Sequence, residues 1–115
     1  MPHFVIDCSA TIVKRIPTRQ LLRLVHETAA SSGLFEAKDI KVRLRSFEEY
    51  TIGTDDCDFI HVFANIMEGR TTEQKKALSG SIVGQLKALF PAVPVISMNV
   101  WDFEKESYCN RNMIS

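Results

Sequence analysis

The sequence predicts an α+β fold, a two-layer sandwich in which a four-stranded sheet carries two helices on one face. Three observations lead to this prediction. Patterns typical of strand, helix and strand follow one another twice, at about residues 2–50 and about residues 57–103, before a tail at residues 104–115. A helical crossover makes the two strands of each βαβ unit parallel. The 115 residues, 45% of them hydrophobic, suit a single domain, because half that length would support only a small core.

The first βαβ unit opens with a strand at residues 3–8, where β-branched and aromatic side chains are concentrated in HFVIDC. Apolar residues then recur at helical spacing from about Thr18 to Ser31. Pro17 suits the start of this helix and Gly33 its end, because proline is favoured in a first helical turn and glycine just past a last one.

The second strand of this unit is predicted at residues 40–47, because IKVRLRSF alternates strictly between apolar and basic side chains. Successive side chains of a strand point to opposite faces, so one face should be buried and the other cationic. The apolar face would carry Ile40, Val42 and Leu44, and the cationic face Lys41, Arg43 and Arg45. We expect the guanidinium group of Arg45 to be solvated.

The second βαβ unit begins with a strand at residues 58–67, which read DFIHVFANIM. A helix follows, and Thr71 and Gln74 have the spacing of a capping box at its start. A proline in FPAVP ends this helix, and residues 94–101 form the last strand. The remaining residues suit a short helical turn or an ordered tail.

Two helices on one face of the sheet leave the opposite face uncovered. That face would carry apolar and aromatic side chains, among them Val5, Phe59 and Phe63, together with His3. Such a surface is usually covered by another subunit, so the sequence predicts a homo-oligomer.

Composition excludes several classes of protein. The 14 basic and 14 acidic residues cancel, which argues against a nucleic-acid partner or an anionic membrane surface. No apolar run approaches the roughly 20 residues that span a bilayer, and the start does not resemble a signal peptide. Three cysteines without paired spacing indicate reduced thiols. We therefore expect a soluble protein of the cytoplasm.

Metal chemistry is not expected. No two of the three histidines, His3, His26 and His61, have the spacing of a metal site, and the cysteines are scattered. Each histidine is instead expected to be packed or hydrogen-bonded.

The chain contains four stretches that together extend over nearly its whole length: MPHFVIDCS, SSGLFEAKDIKVRLR, GRTTEQKKALSGSIVGQLK and YCNRN. Their order and spacing resemble the 5-carboxymethyl-2-hydroxymuconate isomerase family of the tautomerase superfamily. The resemblance implies a homotrimer of tandem βαβ subunits and keto–enol isomerisation without a cofactor. It also implies that an amino-terminal proline moves a proton between carbons of a conjugated dicarboxylic or tricarboxylic acid.

Pro2 is the candidate catalytic residue. Removal of Met1, which is common before a small residue, would give it a free secondary amine. A free α-amine titrates at roughly pH 8, and burial together with nearby cations would lower the pKa of the more basic proline amine towards the working pH. One base can then take a proton from one carbon and return it to another. Alternatively, Pro2 only starts the strand, a position where its missing N–H is tolerated.

Lys41, Arg43 and Arg70 are the candidate substrate-binding residues, because a carboxylate substrate and its dienolate both need cationic partners. By resemblance, Lys41 stands where the family commonly has a substrate-binding arginine, whereas Arg43 and Arg70 fall on two further arginines of the family pattern. Lysine keeps the charge but lacks the planar fork of arginine, which indicates weaker binding or a preference for a different acid.

The sequence therefore predicts a cofactor-independent isomerase acting on an unsaturated 2-hydroxy or 2-oxo acid, most simply 5-carboxymethyl-2-hydroxymuconate. Two alternatives stay open. One is a tautomerase of a different small unsaturated acid. The other is a trimeric relative that binds a small acid or a partner without turnover.

Overall fold

The computed structural model describes residues 1–115 and contains one four-stranded sheet in the order β2-β1-β3-β4. Its strands are β1 (His3–Ser9), β2 (Lys41–Phe47), β3 (Phe59–Met67) and β4 (Val95–Phe103). Strands β1 and β2 are parallel, as are β3 and β4, whereas β1 and β3 pair antiparallel at the centre. The predicted tandem βαβ fold is confirmed.

Three helices connect the strands: α1 (Ala10–Arg15), α2 (Thr18–Ser31) and α3 (Thr72–Leu89). The chain also has two 3₁₀ turns: Ala37–Asp39, which lies ahead of β2, and Arg111–Met113, which lies in the tail. The two long helices pack on the same face of the sheet, as predicted, and their buried side chains join one hydrophobic cluster with those of the strands. None of the helices combines the length and the apolar character that a membrane crossing requires.

Helix α1 was not predicted from the sequence. It has six residues, of which only Ile12 is buried, so it is too short to show a detectable helical period. Its position is fixed by distant side chains instead, because Arg15 donates a hydrogen bond of 2.6 Å to Asp58 and Thr11 donates to the same carboxylate.

The predicted ends of the two long helices are confirmed. At the start of α3, the Thr71 hydroxyl accepts from the Gln74 backbone N–H at 3.1 Å, and the Gln74 side chain accepts from the Thr71 N–H at 2.8 Å. Pro17 directly precedes α2, and Gly33 follows it with φ at +76°, a left-handed conformation that glycine adopts without steric cost.

The core lies between the sheet and the helices. Along β1 and β3, alternate residues are fully buried against the helices: Phe4, Ile6 and Cys8 on β1, and Ile60, Val62, Ala64 and Ile66 on β3. From the helices they meet Leu21, Val25 and Ala29 of α2, and Leu78, Ile82 and Leu86 of α3. This alternation fixes which residues of each strand face away from the helices.

The uncovered face, here called the open face, is mixed in character. Its apolar members include Val5 at 7% exposure, Phe63 and Trp101, which is 64% exposed. Arg45 also lies there and is exposed to solvent, as expected, and its guanidinium group makes a bidentate ion pair with Asp7 at 2.7 and 3.0 Å. The ion pair itself was not predicted, because strand pairing brings together residues 38 positions apart.

The thiols should differ sharply in reactivity. Cys8 is fully buried, and burial with the adjacent Asp7 charge raises the pKa of its thiol to about 11, whereas Cys109 is exposed. Because the thiolate is the reactive form, a disulfide reagent at pH 8 should label Cys109 readily and Cys8 only after denaturation. Peptide mapping of the labelled protein measures this, and equal labelling of both in the folded protein would contradict the burial of Cys8.

Candidate active site at the start of β1

Pro2 is buried at the point where the sheet pairing of β1 begins. Its carbonyl accepts a hydrogen bond of 3.1 Å from the backbone N–H of Lys41. The next residue, His3, is paired in register with Lys41 on one side and with Asn65 on the other. Pro2 thus occupies the strand-starting position that its missing N–H allows, and it lies one residue from an amino terminus.

The chain terminus is partly buried and lies near one carboxylate, Asp39, and two cations, Lys41 and Arg70. Burial lowers the pKa of the Met1 amine below its ordinary value; the Asp39 carboxylate opposes this, and the charges of Lys41 and Arg70 lower the pKa further. Lys41 Nζ also lies 3.5 Å from the Met1 sulfur and donates a hydrogen bond of 2.9 Å to the Asp39 carbonyl. The fold therefore disfavours a protonated amine at this position.

Arg43 contacts the imidazole of His3 on the open face. Its Nη1 lies 3.2 Å from His3 Nδ1, and the rest of the Arg43 side chain is exposed. Arg43 and Lys41 are two positions apart on β2, so both project from the same face of the strand.

Arg70 reaches the same end of the sheet from the segment between β3 and α3. Its guanidinium group donates to the Leu34 carbonyl at 2.6 Å and to the Met67 carbonyl at 3.3 Å, and it lies 5.0 Å from the centre of the Phe35 ring. These contacts hold the group in place and leave some of its five N–H donors free. Arg70 therefore has a structural role as well as an electrostatic effect on the chain terminus.

The structure thus brings Lys41, Arg43 and Arg70 to the end of the sheet where the chain begins. Arg45 lies further along β2 in its ion pair with Asp7, four register positions from the pair of His3 and Lys41. Sequence reasoning missed the functional potential of His3. The available signal was its position directly after Pro2, on the strand face that it shares with the cations of β2.

The three histidines are all hydrogen-bonded, as predicted. His61 uses both ring nitrogens, with Ser97 and Asn99 each at 2.6 Å, and His26 Nε2 lies 2.9 Å from the Ala37 carbonyl. His3 contacts Arg43 through Nδ1 alone. His3 is therefore the histidine with a ring nitrogen free on the open face.

No cavity of the single chain includes Pro2. The largest, about 680 Å³, is a groove between α2 and β2 lined in part by Arg19, Arg23, His26 and Lys41. Its apolar lining comes from Leu22, Ile40 and Val42, which pack in or against the core between sheet and helices, so this groove lies on the other side of β2 from His3.

Comparison with known families gives a match over almost the whole chain. A family model described as 5-carboxymethyl-2-hydroxymuconate isomerase matches residues 2–115. The chain is also 25% identical over 108 residues to the 5-carboxymethyl-2-hydroxymuconate Delta-isomerase of Escherichia coli, covering 92% of this chain and 86% of the relative.

Solved structures agree on the fold. A 5-carboxymethyl-2-hydroxymuconate isomerase from Deinococcus radiodurans R1 superposes with a TM-score of 0.80 at 18% identity, over 96% of this chain and 88% of the other. A fused 4-OT, described as a wild-type symmetric trimer, gives a TM-score of 0.81 at 16% identity, over 96% and 92%.

Proposed function

This chain belongs to the 5-carboxymethyl-2-hydroxymuconate isomerase family, and we propose that it moves a proton within an unsaturated 2-hydroxy or 2-oxo acid, with the Pro2 amine as general acid and base. As a member of that family it is an isomerase. The proposed substrate is 5-carboxymethyl-2-hydroxymuconate. The observation that supports the mechanism most directly is the burial at the start of β1, which lowers the pKa of the Met1 amine and encloses Pro2 beside Lys41.

The chemistry requires a neutral amine. Once Met1 is removed, the nitrogen of Pro2 changes from an amide, whose lone pair is delocalised, to a secondary amine with a basic lone pair. Pro2 lies one residue deeper than Met1 and is buried, so we expect the burial that lowers the pKa of the Met1 amine to favour the neutral form of the Pro2 amine as well. The neutral amine takes a proton from the 2-hydroxyl group of a 2-hydroxy acid, or from the carbon beside the carbonyl of a 2-oxo acid, and the resulting ammonium returns a proton to another carbon of the dienolate.

The three cations, Lys41, Arg43 and Arg70, contribute to binding of the acid in different ways. Lys41 Nζ is exposed beside the chain terminus, and removal of Met1 also removes its sulfur contact, so its charge is available to a carboxylate. The exposed guanidinium group of Arg43 offers further donors, and Arg70 supplies a fixed positive charge. Together they compensate the negative charge that the dienolate develops when the proton leaves.

We place the active protein in a homotrimer, because the open face presents partly buried and exposed apolar side chains such as Phe63 and Trp101 in the single chain. The fused 4-OT with the same fold is described as a symmetric trimer. A neighbouring subunit would also supply walls that the single chain lacks around Pro2. The cytoplasmic location, the single-domain boundaries and the absence of a cofactor stay predictions from the sequence.

A second substrate assignment follows from Lys41, where the family commonly has arginine. Its ammonium group already donates to the Asp39 carbonyl, and a point charge cannot grip a carboxylate with two parallel bonds. A smaller unsaturated acid with fewer carboxylates is therefore the alternative substrate.

A panel of acids tests the function and separates these substrates. We expect the chain that begins at Pro2 to isomerise 2-hydroxymuconate and 5-carboxymethyl-2-hydroxymuconate, followed by ultraviolet absorbance. Lys41→Arg should lower KM for the more highly charged acid by roughly fivefold, the equivalent of about 1 kcal/mol for a better hydrogen bond. Lys41→Gln, the matched control without charge, should raise KM for the same acid. The proposal fails if no acid in the panel reacts faster than in buffer.

A further inference from the structure

The first residue row of the open face crosses all four strands at the end where the chain begins. The registers place Lys41, His3, Asn65 and Trp101 side by side in this row. His3 is central in it and is joined to Pro2 by one peptide bond. Any acid that reacts at the Pro2 amine and contacts Lys41 therefore passes close to the imidazole of His3.

Arg43 determines where the proton of this imidazole lies. A guanidinium group has donors and no acceptor, so the contact of 3.2 Å between Arg43 Nη1 and His3 Nδ1 requires Nδ1 to accept. The proton of the neutral ring must then be on Nε2. His3 Nε2 makes no hydrogen bond within the chain, whereas both nitrogens of His61 on the same face are used.

The neutral state of His3 is favoured by its surroundings. Burial lowers the pKa of the His3 imidazole below its ordinary value, and the charges of Arg43 and Lys41 lower it further. The residues paired with His3 on the neighbouring strands add one cation, Lys41, and one uncharged amide, Asn65. His3 therefore presents a neutral N–H donor at neutral pH.

We propose that His3 is a catalytic residue whose Nε2–H donates a hydrogen bond to the oxygen that becomes negatively charged when the amine removes a proton from the substrate. This inference rests on the proposed function and adds a donor to it. No proton leaves His3: Pro2 takes the proton from the 2-hydroxyl group of a 2-hydroxy acid or from a carbon of a 2-oxo acid and returns it to another carbon, while the 2-oxygen carries the negative charge in between. A neutral donor suits this task because its hydrogen bond strengthens as the charge develops, whereas the cations bind carboxylates that are charged throughout.

Two variants at the same position separate donation from packing. His3→Gln keeps a neutral N–H donor, and His3→Met keeps an unbranched side chain of similar length without one. We expect His3→Met to lower kcat by about 10²-fold, as for the loss of one donor to an oxyanion, with a much smaller change in KM. His3→Gln should retain most of kcat. Equal kcat for both variants and the unsubstituted chain would overturn the inference.

The tautomer can be measured without any substitution. Nitrogen-15 chemical shifts of the imidazole should show the proton on Nε2 in the unsubstituted protein, and Arg43→Gln should raise the pKa of His3 in an NMR titration. A proton on Nδ1 would overturn the inference even if both His3 variants misfolded. Pro2→Ala, assayed in parallel, distinguishes a failure of the His3 role from a failure of the proposed function. If it loses activity while the His3 variants do not, the proposed function stands and the role of His3 is wrong.

Discussion

Retention of Met1 should abolish most of the activity. Two preparations that differ only in this residue, one beginning at Met1 and one at Pro2, should differ in kcat by about 10²- to 10⁴-fold, the usual contribution of a general acid–base group. The reason is that the nitrogen of Pro2 is an amide in the longer chain and a secondary amine in the shorter one. Intact mass spectrometry establishes which species is present, and ultraviolet assays give the rates.

The matched control for this comparison is Pro2→Ala in a chain that has lost Met1, which has a primary amine in the same position. Its kcat should lie between those of the two preparations. Since the neutral amine is the base, kcat/KM should decline as the pH drops below the pKa of the Pro2 amine. Equal turnover by the chains with and without Met1 would exclude the amine as the base.

Phe4→Ala should cause the largest loss of stability, about 3–5 kcal/mol of unfolding free energy, as is usual when a buried phenylalanine is cut back to alanine. Phe4 is fully buried on β1, and its ring contacts that of Phe35 edge-on with centroids 6.1 Å apart. Urea denaturation at a fixed protein concentration measures the change, because the stability of an oligomer depends on concentration.

Phe4→Leu is the control, because it retains most of the buried volume and should keep most of the stability. Phe35 also lies beneath the guanidinium group of Arg70, so cutting back Phe4 removes support from a residue of the candidate site. A loss well under about 1 kcal/mol for Phe4→Ala would mean that this ring is not packed as described.

Periodicity was sufficient to predict the sheet and the two long helices. Alternation in β2, the capping box at Thr71 and the proline before α2 each depend on residues close together in the chain, and all three are found in the structure. Helix α1 escaped prediction for the opposite reason, since its position depends on Asp58, more than 40 residues away. Local patterns cannot report such a contact.

The candidate site was predictable as a set of residue types but not as an arrangement. The alternation of β2 showed that its cations share a face, yet only the pairing register shows that Lys41 lies beside His3 and Arg45 beside Asp7. The sequence likewise gave no indication that Arg70 is held by the Leu34 and Met67 carbonyls. Charge alone did not distinguish an arginine held in an ion pair from one available to a substrate.

The antiparallel pairing of β1 with β3 makes the two ends of the sheet approximate counterparts. Asp58 directly precedes β3, just as Pro2 directly precedes β1. Val95 pairs with Phe59, the first residue of β3, just as Lys41 pairs with His3, the first residue of β1. At that far end the Asp58 carboxylate forms an ion pair with Arg15 at 2.6 Å. Val95 stands there in the position that Lys41 has at the other end. The backbone nitrogen of Asp58 lies inside the chain, so removal of a terminal residue cannot convert it into a free amine.

The two halves of the chain are therefore alike in backbone but unequal in chemistry. Under the proposed mechanism each polypeptide carries one reactive amine, and a homotrimer carries three. An assembly of six identical βαβ units would carry six. The duplicated architecture thus leaves one end of each subunit free of catalytic constraint, where substitutions affect folding and assembly alone.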